Sequence, residues 1–310
     1  MTSGPALLAD VGGTHTRLTV LAGGAESHPC VLDNAAHEGL APLIESYLGT
    51  LPAALRPQRG ALAVAAPIGG DEVVMINRGW RFSIAALAAR LGLDPLPVIN
   101  DFTAVALAVP HLAAGECLDF GGGGAVSQSP IAVLGPGTGL GVSGLIPNAQ
   151  GWAAIAGEGG HVTLAPANDA EAEVLRELRR RYGHVSAERV LSGPGLVDLY
   201  RLLAAPAAVA DPAEVTALAL KGGDPAAAKA LELFFSFLGN VAGNLALTLG
   251  ARGGVYLAGG ILPRLAGALA ASAFRERFEA KGRYRPYLAA IPTRLIVAPA
   301  PAWRGLATLL

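Results

Sequence analysis

The sequence predicts an α/β protein built from two domains, and three observations carry that expectation. The chain has 310 residues, too long for one average domain and enough for two that each bury a core. Near its start, Leu7 to Leu21 reads LLADVGGTHTRLTVL, two apolar runs flanking Gly12-Gly13-Thr14, which is the mark of strand, tight turn and strand. Further on, Ile131 to Ile146 reads IAVLGPGTGLGVSGLI, where Gly135, Gly137, Thr138, Gly139 and Gly141 again separate a pair of apolar runs. Two such hairpins suggest related half-domains facing each other across a cleft.

Behind the first hairpin, Pro29 to Leu32 reads as a third strand, and Leu40, Leu43, Ile44, Tyr47, Leu48 and Leu51 recur at helical spacing. Ala61 to Ala66, closed by Pro67, is a continuous apolar run of the kind buried on both faces of a sheet. Val73 to Ile76 makes a strand, and Ser83 to Leu91 a helix with Ser83 as its N-cap. Pro97 to Asp101 is a short strand running straight into a helix that carries Phe102, Val105, Ala106 and Val109. Pro110 ends that helix and Gly121 to Gly124 suits a loop, so the first domain boundary is expected near residue 110.

The second half opens with the echo hairpin and then turns mostly helical, over Ala170 to Tyr182, Gly195 to Leu203, Pro212 to Leu220 and Pro225 to Gly250. On the first of these, Arg176, Arg179, Arg180 and Arg181 alternate with Glu171, Glu173 and Glu177, which reads as a solvated face. Gly253 to Ile261 returns to strand and glycine turn. The tail is one more strand, Arg294 to Val297, and a short apolar helix, Trp303 to Leu310.

Composition narrows the function classes. Net charge is −1, so no overall field draws the chain toward nucleic acid or an anionic membrane, and neither partner is expected. Arg17 is the only Lys or Arg before residue 56, so the basic start of a signal peptide is missing and a cytoplasmic address is expected. Cys30 and Cys117 stand far apart without a CxxC or Cys/His cluster, which reads as two buried thiols rather than a disulfide or zinc framework. Mean hydropathy is high, +0.45, much of it from alanine. The longest uncharged run, Leu233 to Ala251, approaches the length of a membrane span. Ser236, Asn240, Asn244 and Thr248 lie four apart along it, a polar row costly in lipid, so it reads as a helix buried in the larger domain or at a subunit contact.

Three places carry residues suited to chemistry. At the first turn, Asp10 sits at the exit of a strand, and the glycines after it leave backbone N–H groups open to phosphate oxygens and a nearby metal. Asp101 falls where a parallel strand ends and a helix begins, the place where open α/β sheets present ligand-binding groups. A carboxylate there can take a proton from a hydroxyl attacking phosphorus, with the Asn100 amide holding the hydroxyl in line; equally, Asp101 can cap the helix. Glu158 and His161, in AGEGGH, and Glu188, ahead of SGPG, are acids and an imidazole on loops, a set suited to a polyhydroxylated ligand.

The turns DVGGT (Asp10 to Thr14) and GPGTGLG (Gly135 to Gly141) resemble the two phosphate loops of the sugar kinase, actin and heat-shock ATPase superfamily. INDFTAVAL (Ile99 to Leu107), GEGGHV (Gly157 to Val162), ERVLSGPGLVDLYR (Glu188 to Arg201) and GGVYLAGGILPR (Gly253 to Arg264) resemble bacterial glucokinases of the non-zinc type, in that family's order and over nearly the whole chain. The resemblance implies two ribonuclease H-like domains around a central cleft, the second larger and helix-rich. The small one is 1–110 plus 299–310, completed by the last helix, and the large one 111–298. It implies Asp101 as catalytic base and Asn100, Glu158, His161 and Glu188 as glucose-binding residues. It also implies Asp10, Val11, Gly12, Gly13 and Thr14 with Gly137, Thr138 and Gly139 as phosphate loops, and Gly259-Gly260 as the turn beside the adenosine. ATP, Mg²⁺ placed indirectly by Asp10, and a homodimer follow from the same likeness. Asn77 and Trp80 lie in a further familiar stretch that supports the cleft. His15 departs from the family's usual Asn after Gly-Gly-Thr, and 300–305 departs from its glycine-rich ending.

Other readings are a kinase for mannose, fructose or an N-acetyl sugar, and a sugar-sensing regulator without catalysis. The regulator would need a DNA-binding segment, for which the region before the first strand is short and without positive charge. A dinucleotide-binding fold needs a helix after its glycine turn, and here a strand follows.

Overall fold

The computed structural model describes residues 4–76, 78–204 and 211–310. Packing divides the chain into two units, the first made of Met1–Ala113, Ala154–Gly157 and Ala298–Leu310, the second of Ala114–Ala153 and Glu158–Val297.

The first unit begins with β1 (Ala6–Val11), β2 (His15–Ala22) and β3 (Ala25–Asp33), then α1 (Leu40–Gly49), β4 (Arg59–Val64), β5 (Glu72–Met75), β6 (Trp80–Ser83), α2 (Ile84–Leu91), β7 (Val98–Asn100) and α3 (Asp101–Ala108). Its five-stranded sheet runs β3-β2-β1-β4-β7, with β1, β4 and β7 parallel and β2 and β3 antiparallel. The unbroken apolar sequence of β1 and β4 fits their place at the centre, covered on both faces. On one face Leu7, Ala9 and Val11 pack with Leu43, Ile44 and Tyr47 of α1. Ser83 caps α2 as expected, its hydroxyl accepting from Ala86 N at 3.0 Å. Trp80 is buried at the start of β6, a strand that the sequence pattern does not predict; Asn77 lies outside the described residues.

The second unit continues with β8 (Cys117–Asp119), β9 (Ile131–Pro136), β10 (Leu140–Asn148), β11 (Gly151–Ala156, the residues from Ala154 on being grouped with the first unit), α4 (Asp169–Tyr182), α5 (Ala187–Val190), α6 (Gly193–Leu203), α7 (Pro212–Lys221) and α8 (Pro225–Leu249). After these come β12 (Gly254–Leu257), α9 (Ala266–Ala270), α10 (Phe274–Glu279), α11 (Arg285–Ala289) and β13 (Thr293–Ile296). Its sheet runs β11-β10-β9-β12-β13-β8. Leaving out β8 and the separate antiparallel pair β5-β6, the main sheet of each unit lines up five strands in the order third, second, first, fourth, fifth, with an antiparallel hairpin joined to parallel strands. The pair of glycine hairpins seen in the sequence is thus the start of a repeated topology.

Helix α8 carries the long apolar run, and its Phe234, Phe235, Phe237 and Leu238 are buried in the core of the second unit. Gly239 and Gly243 let α10 lie directly against it, since a Cβ on them would come within 2.2 Å of Phe274 O and 2.5 Å of Phe278 O. The polar row runs from core to solvent: Ser236 and Asn240 are buried, Asn244 and Thr248 exposed. Asn240 donates to Ala165 O at 3.2 Å, while its backbone oxygen accepts from Lys281 Nζ at 3.1 Å.

Two expectations need correction. Glu171 does not belong to a solvated face: it is 1% exposed, accepting from Arg277 of α10 at 2.5 Å and from Ala167 N at 2.7 Å. Cys30 and Cys117 are only partly buried, each on a strand at the edge of its sheet, and both are free. Burial still pushes the Cys117 thiol up.

The chain closes with α12 (Pro301–Ala307), which belongs to the first unit and packs on α3, β1 and β4. Trp303 Nε1 donates to Arg17 O at 3.3 Å, and Arg59 Nη1 to Leu310 O at 2.7 Å. A Cβ on Gly305 would stand 1.8 Å from Ala104 O, so α12 and α3 meet backbone to backbone.

Candidate active site

In the first unit the candidate residues gather at one edge of the sheet. The register pairs Val11 with Val64, and Val64 with Asn100, so β1, β4 and β7 end side by side. That row puts the Asp10–Thr14 segment and the Asn100–Asp101 pair at the carboxyl ends of parallel strands about 10 Å apart, at two strand spacings.

Asp10 Oδ2 lies 3.7 Å from Arg17 Nη1, its cross-strand partner. Burial pushes the Asp10 carboxyl above its ordinary range, and Arg17 only partly offsets this. Val11 is fully buried, so its side chain serves the core and only its backbone is open to a ligand role. Gly12 N donates to His15 O at 3.0 Å and closes the turn. The N–H groups of Gly13 and Thr14 have no acceptor among the described residues.

The sign of the Asp10 shift has a consequence for stability. A carboxyl raised by folding contributes stability that is full below the unfolded value of 3.8 and is lost as pH rises through the higher native value. Asp10→Asn, without ligands, is therefore expected to melt above the parent at pH 7, with the gap closing as pH falls through the raised native value and closed below 3.8. Calorimetric melts across pH check this.

Asp101 is half-buried at the first position of α3. The helix cap is Asn100, whose Oδ1 accepts from Phe102 N at 2.9 Å and Thr103 N at 3.2 Å. Asn100 Nδ2 is 3.4 Å from Ala66 O, a long contact that leaves the amide able to donate elsewhere. Asn100 is thus the N-cap, and the capping role that the sequence left open for Asp101 is shared only in part, Asp101 Oδ1 also accepting from Phe102 N at 2.9 Å.

In the second unit, the turn Gly137-Thr138-Gly139 joins β9 to β10, and Gly259-Gly260 follows β12, which runs parallel to β9. Gly193 N donates to Gly137 O at 2.9 Å, fixing the start of α6 to the turn. Glu188, on α5, accepts from Leu140 N at 2.9 Å through Oε2. A Cβ at Gly139 would sit 2.4 Å from that oxygen, so the glycine makes room for the acid. His161 lies between two carboxylates, with Nδ1 3.9 Å from Glu188 Oε1 and Nε2 4.0 Å from Glu158 Oε2. Glu158 and His161 are over half exposed, at 51% and 59%, so both present polar atoms to a ligand.

The candidate residues therefore form two clusters, one per unit, each at the carboxyl edge of its parallel strands. The sequence does not reveal that Glu188 is tied to the second glycine turn, because the contact spans 48 positions and no local pattern signals it.

A family model described as Glucokinase matches residues 7–310. The chain belongs to the glucokinase family. It is 53% identical over 309 residues to a glucokinase of Paramagnetospirillum magneticum, covering 98% of this chain and 96% of that one. A glucokinase of Nitrobacter hamburgensis is 49% identical over 308 residues, covering 98% and 96%. Among solved structures, a glucokinase from an Antarctic psychrotroph superposes with a TM-score of 0.87 at 37% identity, covering 99% of both chains. Glucokinases are hexose kinases that transfer phosphate to glucose, and the fold found here is the actin-like ATPase fold of sugar kinases.

Proposed function

We propose that this glucokinase-family chain transfers the γ-phosphate of ATP to the 6-hydroxyl of glucose, with Asp101 as general base. The observation that carries this reading is the strand β7 to helix α3 junction: Asn100 caps the helix, and the adjoining carboxylate is half-exposed at a ligand-presenting edge. Asp101 takes the proton of the 6-hydroxyl as that oxygen attacks phosphorus, and the Asn100 amide orients the sugar. Glu158 and Glu188 accept from vicinal hydroxyls, and His161 donates or accepts beside them.

The N–H groups of the Asp10–Thr14 and Gly137–Gly139 turns hold phosphate oxygens, and Gly259-Gly260 leaves space beside the adenosine. Mg²⁺ suits the end of β1, where Asp10 offers hard carboxylate oxygens that the arginine 3.7 Å away balances only in part. Held there through water, it would neutralise phosphate charge. The domains of this reading are 1–110 plus 299–310 and 111–298. The family resemblance further supports a cytoplasmic homodimer feeding glycolysis.

A sugar panel in a coupled ADP-release assay tests the substrate. Glucose is expected to give glucose 6-phosphate with the highest kcat/KM. A larger value for mannose, fructose or an N-acetyl sugar would reject glucose, and sugar binding without ADP release would reject catalysis.

A further inference from the structure

A fully buried amide sits behind the first glycine turn. Asn34 follows β3 directly and is 0% exposed. Its Nδ2 donates to Gly12 O at 2.8 Å, and its backbone N donates to Thr14 O at 2.9 Å. Its Oδ1 accepts from Thr16 Oγ1 at 2.7 Å, and Thr16 is likewise fully buried. One residue thus holds two carbonyls of the turn, and the threonine hydroxyl fixes which end of its amide faces Gly12.

A trans peptide sets its C=O and N–H on opposite sides of one plane. With the Gly12 carbonyl turned toward Asn34, the Gly13 N–H must point away from it. The Thr14 carbonyl, turned the same way, aims the His15 N–H outward too. A glycine pair has no side chain to choose between this peptide orientation and its flipped alternative. The choice has to come from outside the turn.

We propose that Asn34 is a positioning residue for nucleotide binding, which locks the Gly12–Gly13 peptide so that its N–H faces the phosphate. The proposal rests on the reading of Asp10–Thr14 as a phosphate loop and goes beyond it by naming what orients that loop. Asn34 itself touches no substrate.

The test uses the full chain and calorimetric titration with two probes, Mg²⁺-AMPPNP and glucose. In Asn34→Asp, of the same shape, the donor to Gly12 O is lost and a carboxylate faces a carbonyl. AMPPNP affinity is expected to fall about tenfold or more, the worth of a lost buried hydrogen bond, while glucose affinity stays within about twofold. Thr16→Val keeps Asn34 but releases its orientation, and should weaken AMPPNP about fivefold with the same indifference to glucose. A purely structural role would lower the melting temperature and leave both affinities of the folded protein unchanged.

Unchanged AMPPNP affinity in folded Asn34→Asp overturns the proposal. If that variant does not fold, unchanged affinity in Thr16→Val overturns it. So does an unaltered protein that does not bind AMPPNP. Failure of the unaltered protein to phosphorylate glucose while still binding AMPPNP would count against the glucose reading alone.

Discussion

Gly305→Ala is expected to destabilise the protein by about 3 kcal/mol or more and to lower its melting temperature by roughly 5–10 °C. The added methyl would stand 1.8 Å from the carbonyl oxygen of Ala104, and that atom is helix backbone with no rotamer to escape through. Relief requires α12 to move off α3, which uncovers the apolar surface around Ala104, Ala108, Trp303 and Leu306. Ala104 lies one turn beyond Asp101, so the same displacement shifts the carboxylate proposed as base. Turnover should therefore fall at temperatures well below the melt, since small misplacements of a catalytic group are costly. Leu309→Ala, at the exposed end of the chain, should leave both melting and turnover unchanged. Scanning calorimetry and a rate assay on the two variants give the comparison.

Much of the fold is legible in periodicity, because the strands are apolar runs broken by glycine and the helices carry caps. Asn168, Ser186, Ser192, Asp211 and Asp224 each bind a backbone N–H at a helix start, and a short polar residue ahead of an apolar-periodic stretch is a local signal. What escapes is short or depends on distant contacts. Between Ile261 and Arg294 the sequence predicts no element, since α9, α10 and α11 are five or six residues long and show too few turns for a period to emerge. Glu171 looks solvated in the sequence because its own helix is charged, and its ion-pair partner Arg277 lies on α10, more than 100 positions away.

The site divides the same way. Asp101 stands out in the sequence because a short strand meets a helix there, and Glu158 and His161 because glycines surround them. The ties that hold these groups leave no such mark. Asn100 and Asp101 are both acceptable caps, and only the backbone geometry assigns the cap to Asn100. Glu188 reaching Leu140 N and Asn34 reaching Gly12 O are long-range contacts without a local pattern.

Asp101→Asn has the largest expected effect on chemistry. The amide preserves shape and can still hydrogen-bond a hydroxyl, but it cannot accept the proton, so it removes the proposed general base and little else. The loss should be about 100- to 10,000-fold in turnover, the usual worth of such a group. Folding should survive, because Asn100 supplies the helix cap and remains in place. The decisive measurement pairs a single-turnover rate of glucose 6-phosphate formation with a glucose titration on one preparation of Asp101→Asn. The expected result is a rate at least about 100-fold below the parent with glucose affinity within a few-fold; a rate near the parent's would contradict the role assigned to Asp101.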